Sequence, residues 1–209
     1  MTQMDGRPVV VLLSDEKARE RVVRAADRLF YARGIQAVGM DALRTESGVS
    51  LKRLYRIFAS KEAVVEEVLG RRHVMWVNGL AAATDEVGSP RDRLLAIFDF
   101  LGTWFEEDDF RGCAFINSFG EMGGTTDSLA EIVRSHKAGF QDYVAGLVAE
   151  AGAPEWLAPQ LAVVAEGAQT TAAIAGDPEF ARHARRAAET LIDAAMHVRA
   201  PEGVTTAMP

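Results

Sequence analysis

The sequence predicts an all-α protein of about nine helices in two domains. A helix-turn-helix head of three helices occupies residues 1–60, and a larger helical body occupies residues 61–209. Three observations predict this. Apolar residues recur at spacings of three and four almost everywhere, the period of a helix with one buried face. Alternating Val, Ile and Thr runs, the mark of half-buried strands, are missing. Glycine, proline and serine fall where helices would start and stop.

In the head, the first helix reads from SDEKARERVVRAADRLFYARG. Ser14 is its N-cap, acids fill its first turn, and Gly34 stops it. Val22, Ala26, Leu29 and Phe30 form its apolar face. A short second helix runs from Met40 to Ser47, between Gly39 and Gly48. Ser50 caps a third that reaches Phe58, and Ser60 caps a fourth that reaches about Ala83. In the body, Ser89 followed by Pro90 opens a fifth helix to about Glu107. A sixth spans Gly112 to Met122, where Gly123-Gly124 breaks it, and a seventh runs from Asp127 to Glu150. Gly176-Asp177-Pro178 separates the last two helices, about 154–175 and 178–198, and residues 200–209 read as a frayed tail.

Composition excludes several classes. With 48% hydrophobic residues in 209, the chain can build a sizeable core and is not a disordered protein. One cysteine permits no intrachain disulfide and fits a reducing cytoplasm. The apolar run PVVVLL, residues 8–13, is too short for a signal sequence and is followed at once by SDEK. No segment approaches the roughly 20 apolar residues that span a bilayer, so a soluble, cytoplasmic protein with no membrane partner is expected. The four histidines (His73, His136, His183 and His197) form no ligand pair with a nearby acid or Cys. Neither a zinc signature nor a Gly-rich phosphate loop is present, and the run Glu106-Glu107-Asp108-Asp109 reads as solvated charge. No catalytic residue, metal or cofactor is therefore predicted.

Charge is unevenly placed. Residues 1–61 hold 12 Lys and Arg against 7 Asp and Glu, a net of +5, although the whole chain carries −7. A basic head on an acidic body points to an anionic partner for the head alone. Four of those cations, Lys52, Arg53, Arg56 and Lys61, fall within ten positions of GVSLKRLYRIFASKEAV, residues 48–64. Two short helices around the turn Ser47-Gly48-Val49-Ser50 make the helix-turn-helix pattern. Gly48 suits the sharp reversal and Val49 can pack inward. Leu54 and Phe58 share one face of the third helix and can anchor it to the first, leaving Lys52, Arg53 and Arg56 on the other. Such a helix fits the major groove of double-stranded DNA, roughly 12 Å wide. Arg53 or Lys52 could read guanine there, and Lys61 at the start of the fourth helix could meet a phosphate. An ordinary solvated helix face is the competing reading.

The pattern GIQAVGMDALRTESGVSLKRLYRIFASKEAVVEEVL, residues 34–69, resembles the TetR family of transcriptional regulators. Its G-V-S, L-Y-x-x-F and S-K-E elements carry the likeness, and FRGCAFINSFGEM, residues 110–122, is similar to a segment of one broad subgroup. The resemblance implies a homodimer joined through the last two helices, and a DNA face formed by Ser50, Leu51, Lys52, Arg53, Tyr55 and Arg56, with Lys61 and Tyr55 on phosphates. Arg44 on the second helix is added to that face. The chain departs from the family's usual pattern at Val38-Gly39-Met40, where a capping Thr or Ser is common, at Ile57 and at Ala59. The implied function is a ligand-responsive regulator, most simply a repressor released from a palindromic operator by a small apolar effector.

The body supplies candidates for that effector. Residues 98–119 hold Phe98, Phe100, Trp104, Phe105, Phe110, Phe115 and Phe119, seven of the sixteen aromatics. They could line a pocket or simply pack a core. Trp76, Phe98, Trp104, Phe105, Phe115 and Phe119 are the apolar candidates, and Asn117, Glu121 and His136 the polar ones. Trp76 lies on the helix that joins head to body, where a contact could be felt in both. Cys113 offers an alternative, a regulator that senses thiol-reactive compounds, although its aromatic neighbours predict an inert buried thiol. The last two helices carry Leu157, Leu161, Val164, Ala168, Leu191 and Ala195 on faces that could meet a symmetry mate. An enzyme or storage protein with an incidental basic head, and an adaptor that binds protein, remain the rival classes.

Overall fold

The computed structural model of the chain describes residues 14–85 and 87–197. The apolar run at 8–13, the expected tail at 200–209 and the expected helix end at Val198 lie outside those residues. The described residues form nine helices and no strand: α1 Asp15–Arg33, α2 Met40–Ser47, α3 Leu51–Ile57, α4 Lys61–Asp85, α5 Pro90–Phe105, α6 Ala114–Met122, α7 Asp127–Glu150, α8 Leu157–Ala175 and α9 Glu179–His197. They belong to two compact units, residues 1–68 and 69–209, and α4 runs through the division.

The first unit is built on α1, which packs against α2 and α3 while those two pack against each other. Ser14 caps α1 by accepting a hydrogen bond from the Lys17 amide at 3.2 Å. Val22, Ala26, Leu29 and Phe30 are buried, as the period-3.6 reading requires. Leu43 of α2 and Leu54 of α3 are fully buried beside them, and Val49 and Phe58 are nearly so. The turn is held from inside, because the buried Ser47 hydroxyl accepts the Val49 amide at 3.2 Å. Gly48 ends α2 at φ 65°, ψ 21°, the left-handed region, where a side chain would be strained.

One expected cap works differently. Ser50 stands at the N-cap of α3, but its side chain makes no capping hydrogen bond. Gly39, before α2, makes none either, in keeping with the absent Ser or Thr. Ser60 accepts the Ala63 amide at 3.3 Å as predicted.

The second unit is organised around α5, which touches α7, α8 and α9. Ser89 accepts the Asp92 amide at 3.1 Å, with Pro90 at the first position of the helix. Leu94, Ile97, Phe98, Leu101 and Phe105 of α5 are all buried. Three helix ends depart from expectation. α5 stops at Phe105 rather than Glu107, since the acids that follow are disfavoured at the negative end of a helix. α6 begins at Ala114 because Gly112 sits at φ 82°, outside helical space. α8 begins at Leu157 because the residues after Pro154 form turns first, with the Pro154 carbonyl accepting the Leu157 amide at 3.0 Å.

The faces assigned to a symmetry mate also need correction. Leu157, Leu161, Ala168 and Ala195 are buried in their own chain, and Val164 and Leu191 are partly buried against the same core. Residues 157, 161, 165, 168 and 172 fall on one helical face, and α8 turns that face toward α7, α5 and α9. The opposite face of α8 carries the exposed Val163 and Ile174.

Candidate nucleic-acid interface and effector site

On the first unit, the expected DNA residues gather along α3 and its flanks. Lys52, Tyr55 and Arg56 are exposed, and Ser50 is exposed at the turn. Leu51 is half-buried, as is Lys61 at the first position of α4. Arg53 is more enclosed than its neighbours, with its side chain 23% exposed against 63% for Arg56. An open cleft of about 970 Å³ is lined by Ser14, Asp15, Ser50, Lys52, Arg53, Tyr55 and Arg56. Arg44 lies on α2 outside this lining, where its Nε donates to Asp41 at 3.1 Å.

One further residue completes this face. Asp15, the first residue of α1, extends its carboxylate to α3. Its Oδ1 accepts Nε and Nη2 of Arg53 at 3.0 and 2.8 Å, and Nη2 of Arg56 at 2.6 Å. Hydrogen bonds from Arg53 and then Arg56 hold the Asp15 carboxyl below its ordinary pKa. In the sequence Asp15 reads only as an acid in a first turn, because a contact across 38 residues leaves no local signal. Beneath α3, the Arg19 guanidinium sits 4.7 Å over the Phe58 ring and pairs with Glu67.

On the second unit, some of the expected effector residues converge and others do not. Trp76 is the hub. Its ring centroid lies 5.5 Å from Trp104 and 6.3 Å from His136. Phe100 and Phe140, which were not among the candidates, stand 5.2 and 5.9 Å from it. Phe115 stacks on His136 at 3.5 Å with the rings nearly parallel. Phe98 and Phe105 are core residues of α5, with Phe105 also packed against Phe110 at 4.7 Å. Phe119 is exposed, and Asn117 is exposed with its amide donating to the Arg111 carbonyl at 3.0 Å. Glu121 is half-buried.

The polar chemistry of this cluster is unusual. His136 is buried, with its Nδ1 2.9 Å from Nδ1 of His73. One ring must therefore carry its proton on Nδ1 while the other presents a bare nitrogen. Burial, reinforced by the neighbouring Lys137 and His73, lowers the His136 pKa to about 3. Trp76 Nε1 is buried with no acceptor in reach. Leaving such a donor unsatisfied costs about 1–3 kcal/mol. Next to this group, Cys113 is buried at the start of α6, with Lys137 Nζ 3.4 Å from its sulfur and 2.5 Å from Glu166. His73, Phe140 and Lys137 come from helices whose sequence marked them as ordinary. Only their meeting in space reveals them.

Known proteins match both units. Residues 22–68 match the family described as bacterial regulatory proteins, tetR family, and residues 90–188 match the tetracyclin repressor-like C-terminal domain. The chain belongs to the TetR family. Members of this family are transcription regulators and not enzymes, and they bind DNA. Among solved structures, SCO4454, a TetR-family regulator from Streptomyces coelicolor, is 26% identical with a TM-score of 0.82, over 87% of this chain and 97% of that one. An uncharacterized HTH-type transcriptional regulator of Mycobacterium tuberculosis is 26% identical over 60% of this chain, and the match spans 62% of that relative's length. FasR of Mycolicibacterium smegmatis, an HTH-type transcriptional activator, is 32% identical over 46% of this chain and 44% of its own length. Among the described residues no helix is long and apolar enough to cross a membrane, and no group of three His, Cys, Asp or Glu could hold a metal.

Proposed function

We propose that this TetR-family regulator is a homodimeric repressor that leaves a near-palindromic operator when a small apolar effector enters its body. The carrying observation is the group around Trp76, which combines aromatic walls with a buried Nε1–H that lacks an acceptor. An apolar effector bearing one acceptor oxygen would satisfy that donor. Trp76 and Lys61 lie on the same helix, α4, so a shift at the effector site acts on the helix that begins beside the DNA-facing residues. The effector displaces the equilibrium only by its differential affinity for the two forms.

In this reading Lys52 and Arg53 meet bases, Ser50, Leu51 and Arg56 line the groove contact, and Tyr55, Lys61 and Arg44 meet phosphates. The exposed Val163 and Ile174 on α8 support pairing with a second copy through the last two helices. The expected division at residue 60 assigns α4 wholly to the body. The test uses a duplex selected from a random library by the full-length protein. Apolar carboxylates and ketones are then screened for release of that duplex, followed by anisotropy. Release by some members is expected, and Trp76→Ala should abolish release while leaving effector-free binding intact. Release that survives in Trp76→Ala, or equal effector affinity with and without duplex, would defeat the reading. A promoter reporter distinguishes repression from activation.

A second reading has its own observation. Lys137 Nζ sits 3.4 Å from the Cys113 sulfur, so the one thiol of the chain has a polar neighbour. An electrophile that alkylates Cys113 would then release DNA. Cys113→Ser retaining full effector response excludes it.

A further inference from the structure

We infer that Asp15 is a positioning residue for DNA recognition: it presets Arg53 for base contact, holds Arg56 beside it in the groove, and weakens the grip on arbitrary sequence. The inference rests on the reading that α3 enters the major groove. A single carboxylate oxygen gathers three guanidinium N–H groups from two arginines one helical turn apart. Arg53 is engaged through Nε and Nη2 together, which fixes the plane of its guanidinium as well as its position. A flexible arginine must lose rotamer freedom when it binds a base edge, and a pre-set one loses less. Ser14 caps α1 and so fixes the helix terminus from which Asp15 reaches α3. The anchor is therefore a structured point, not a mobile loop.

The same carboxylate is a negative charge inside a cleft that faces a polyanion. Non-specific affinity is governed by how many phosphates the protein neutralises. Asp15 subtracts from that number and applies the loss to every sequence alike. Base-edge contact by the pre-set Arg53 restores affinity only at the correct sequence. The two effects together widen the gap between operator and bulk DNA. Three other roles compete with this one: a decoy that merely occupies the cations, a helix-terminus charge with no part in recognition, and a bystander. They differ in what they do to the specific-to-scrambled ratio.

The experiment compares wild type, Asp15→Asn, Arg53→Ala and the double variant. Each full-length protein is titrated with the library-selected duplex and with a scrambled duplex of the same length, over a salt series. Asp15→Asn should bind the scrambled duplex more tightly. Its ratio of selected to scrambled affinity should fall by about fivefold or more, the low end of what one base contact discriminates. In the Arg53→Ala background the same change should move the ratio by less than about twofold, because the residue it positions is gone. Asp15→Glu, which keeps the charge, should recover part of the ratio. Equal tightening on both duplexes would reduce Asp15 to a decoy and overturn the inference. A lower melting temperature with an unchanged ratio would reduce it to a helix-terminus charge and overturn the inference as well. If Arg53→Ala itself binds the selected duplex at wild-type strength, the groove reading fails first and the inference falls with it.

Discussion

Asp15 and His136 are both titratable groups gathered with other polar side chains, yet they occupy opposite environments. Asp15 lies in an open cleft, and its arginine partners lower its pKa. His136 lies under the Phe115 ring, and burial dominates its shift. In the head, charge is left in water, where pair energies are small and the cations stay available to a ligand. At His136 in the body, burial keeps the ring neutral, and a proton added there has nowhere favourable to sit. The head is thus equipped to exchange one anionic partner for another. In the proposed function, the body responds to a change in what fills its interior.

Several perturbations would sharpen or break that contrast. The largest effect is expected beneath the head's open surface. Leu54→Ala removes a fully buried side chain that ties α3 to the core of its unit, and should cost about 2–5 kcal/mol in chemical denaturation. A loss below about 1 kcal/mol would mean that α3 is not anchored there. Next, Arg53→Ala should leave the melting temperature nearly unchanged but reduce discrimination between selected and mismatched duplexes by about 1–3 kcal/mol. A large stability loss instead would show that Arg53 serves the fold. Gly48→Ala should destabilise by about 1–2 kcal/mol, since an ordinary residue must enter the left-handed region.

The body's response is smaller and depends on pH. A histidine held neutral by the fold refuses a proton that the unfolded chain accepts. Stability should therefore fall as pH drops below about 6.5 toward about 3, with a slope of at most one proton. Melting temperatures between about pH 7.5 and 5 would record this, and His136→Phe should flatten the curve. An unchanged slope in that variant would place the pH sensitivity elsewhere. Smallest of all, Lys61→Ala should weaken selected and scrambled duplexes alike and lower the salt slope by about 1.

Legibility also differed between the two regions, for physical reasons. The first two helices of the head are bounded by residues with specific conformational roles. Ser14, Gly39 and Gly48 therefore placed α1 and α2 at their observed limits. Lys52, Arg53 and Arg56 could be assigned to one face because Leu54 and Phe58 define the other. In the body, period alone recovered the helices but not which faces would meet. The cluster at Trp76 draws side chains from α4, α5 and α7, and helix periodicity says nothing about their mutual approach. The same gap misassigned Leu157 and Leu161, since an apolar helix face looks alike whether a neighbour in the same chain or a second copy covers it. Asp15 escaped notice for a third reason: its local role at a helix start was already sufficient.

Two of the chain's three tryptophans, Trp76 and Trp104, face each other at 5.5 Å with their planes inclined by 67°. Indoles this close and this tilted couple their electronic transitions, so the protein carries an intrinsic chiroptical probe inside the group proposed to receive effector. Anything that wedges between the rings changes the near-ultraviolet circular dichroism, and candidate molecules can be ranked by that spectrum without dye, tag or DNA.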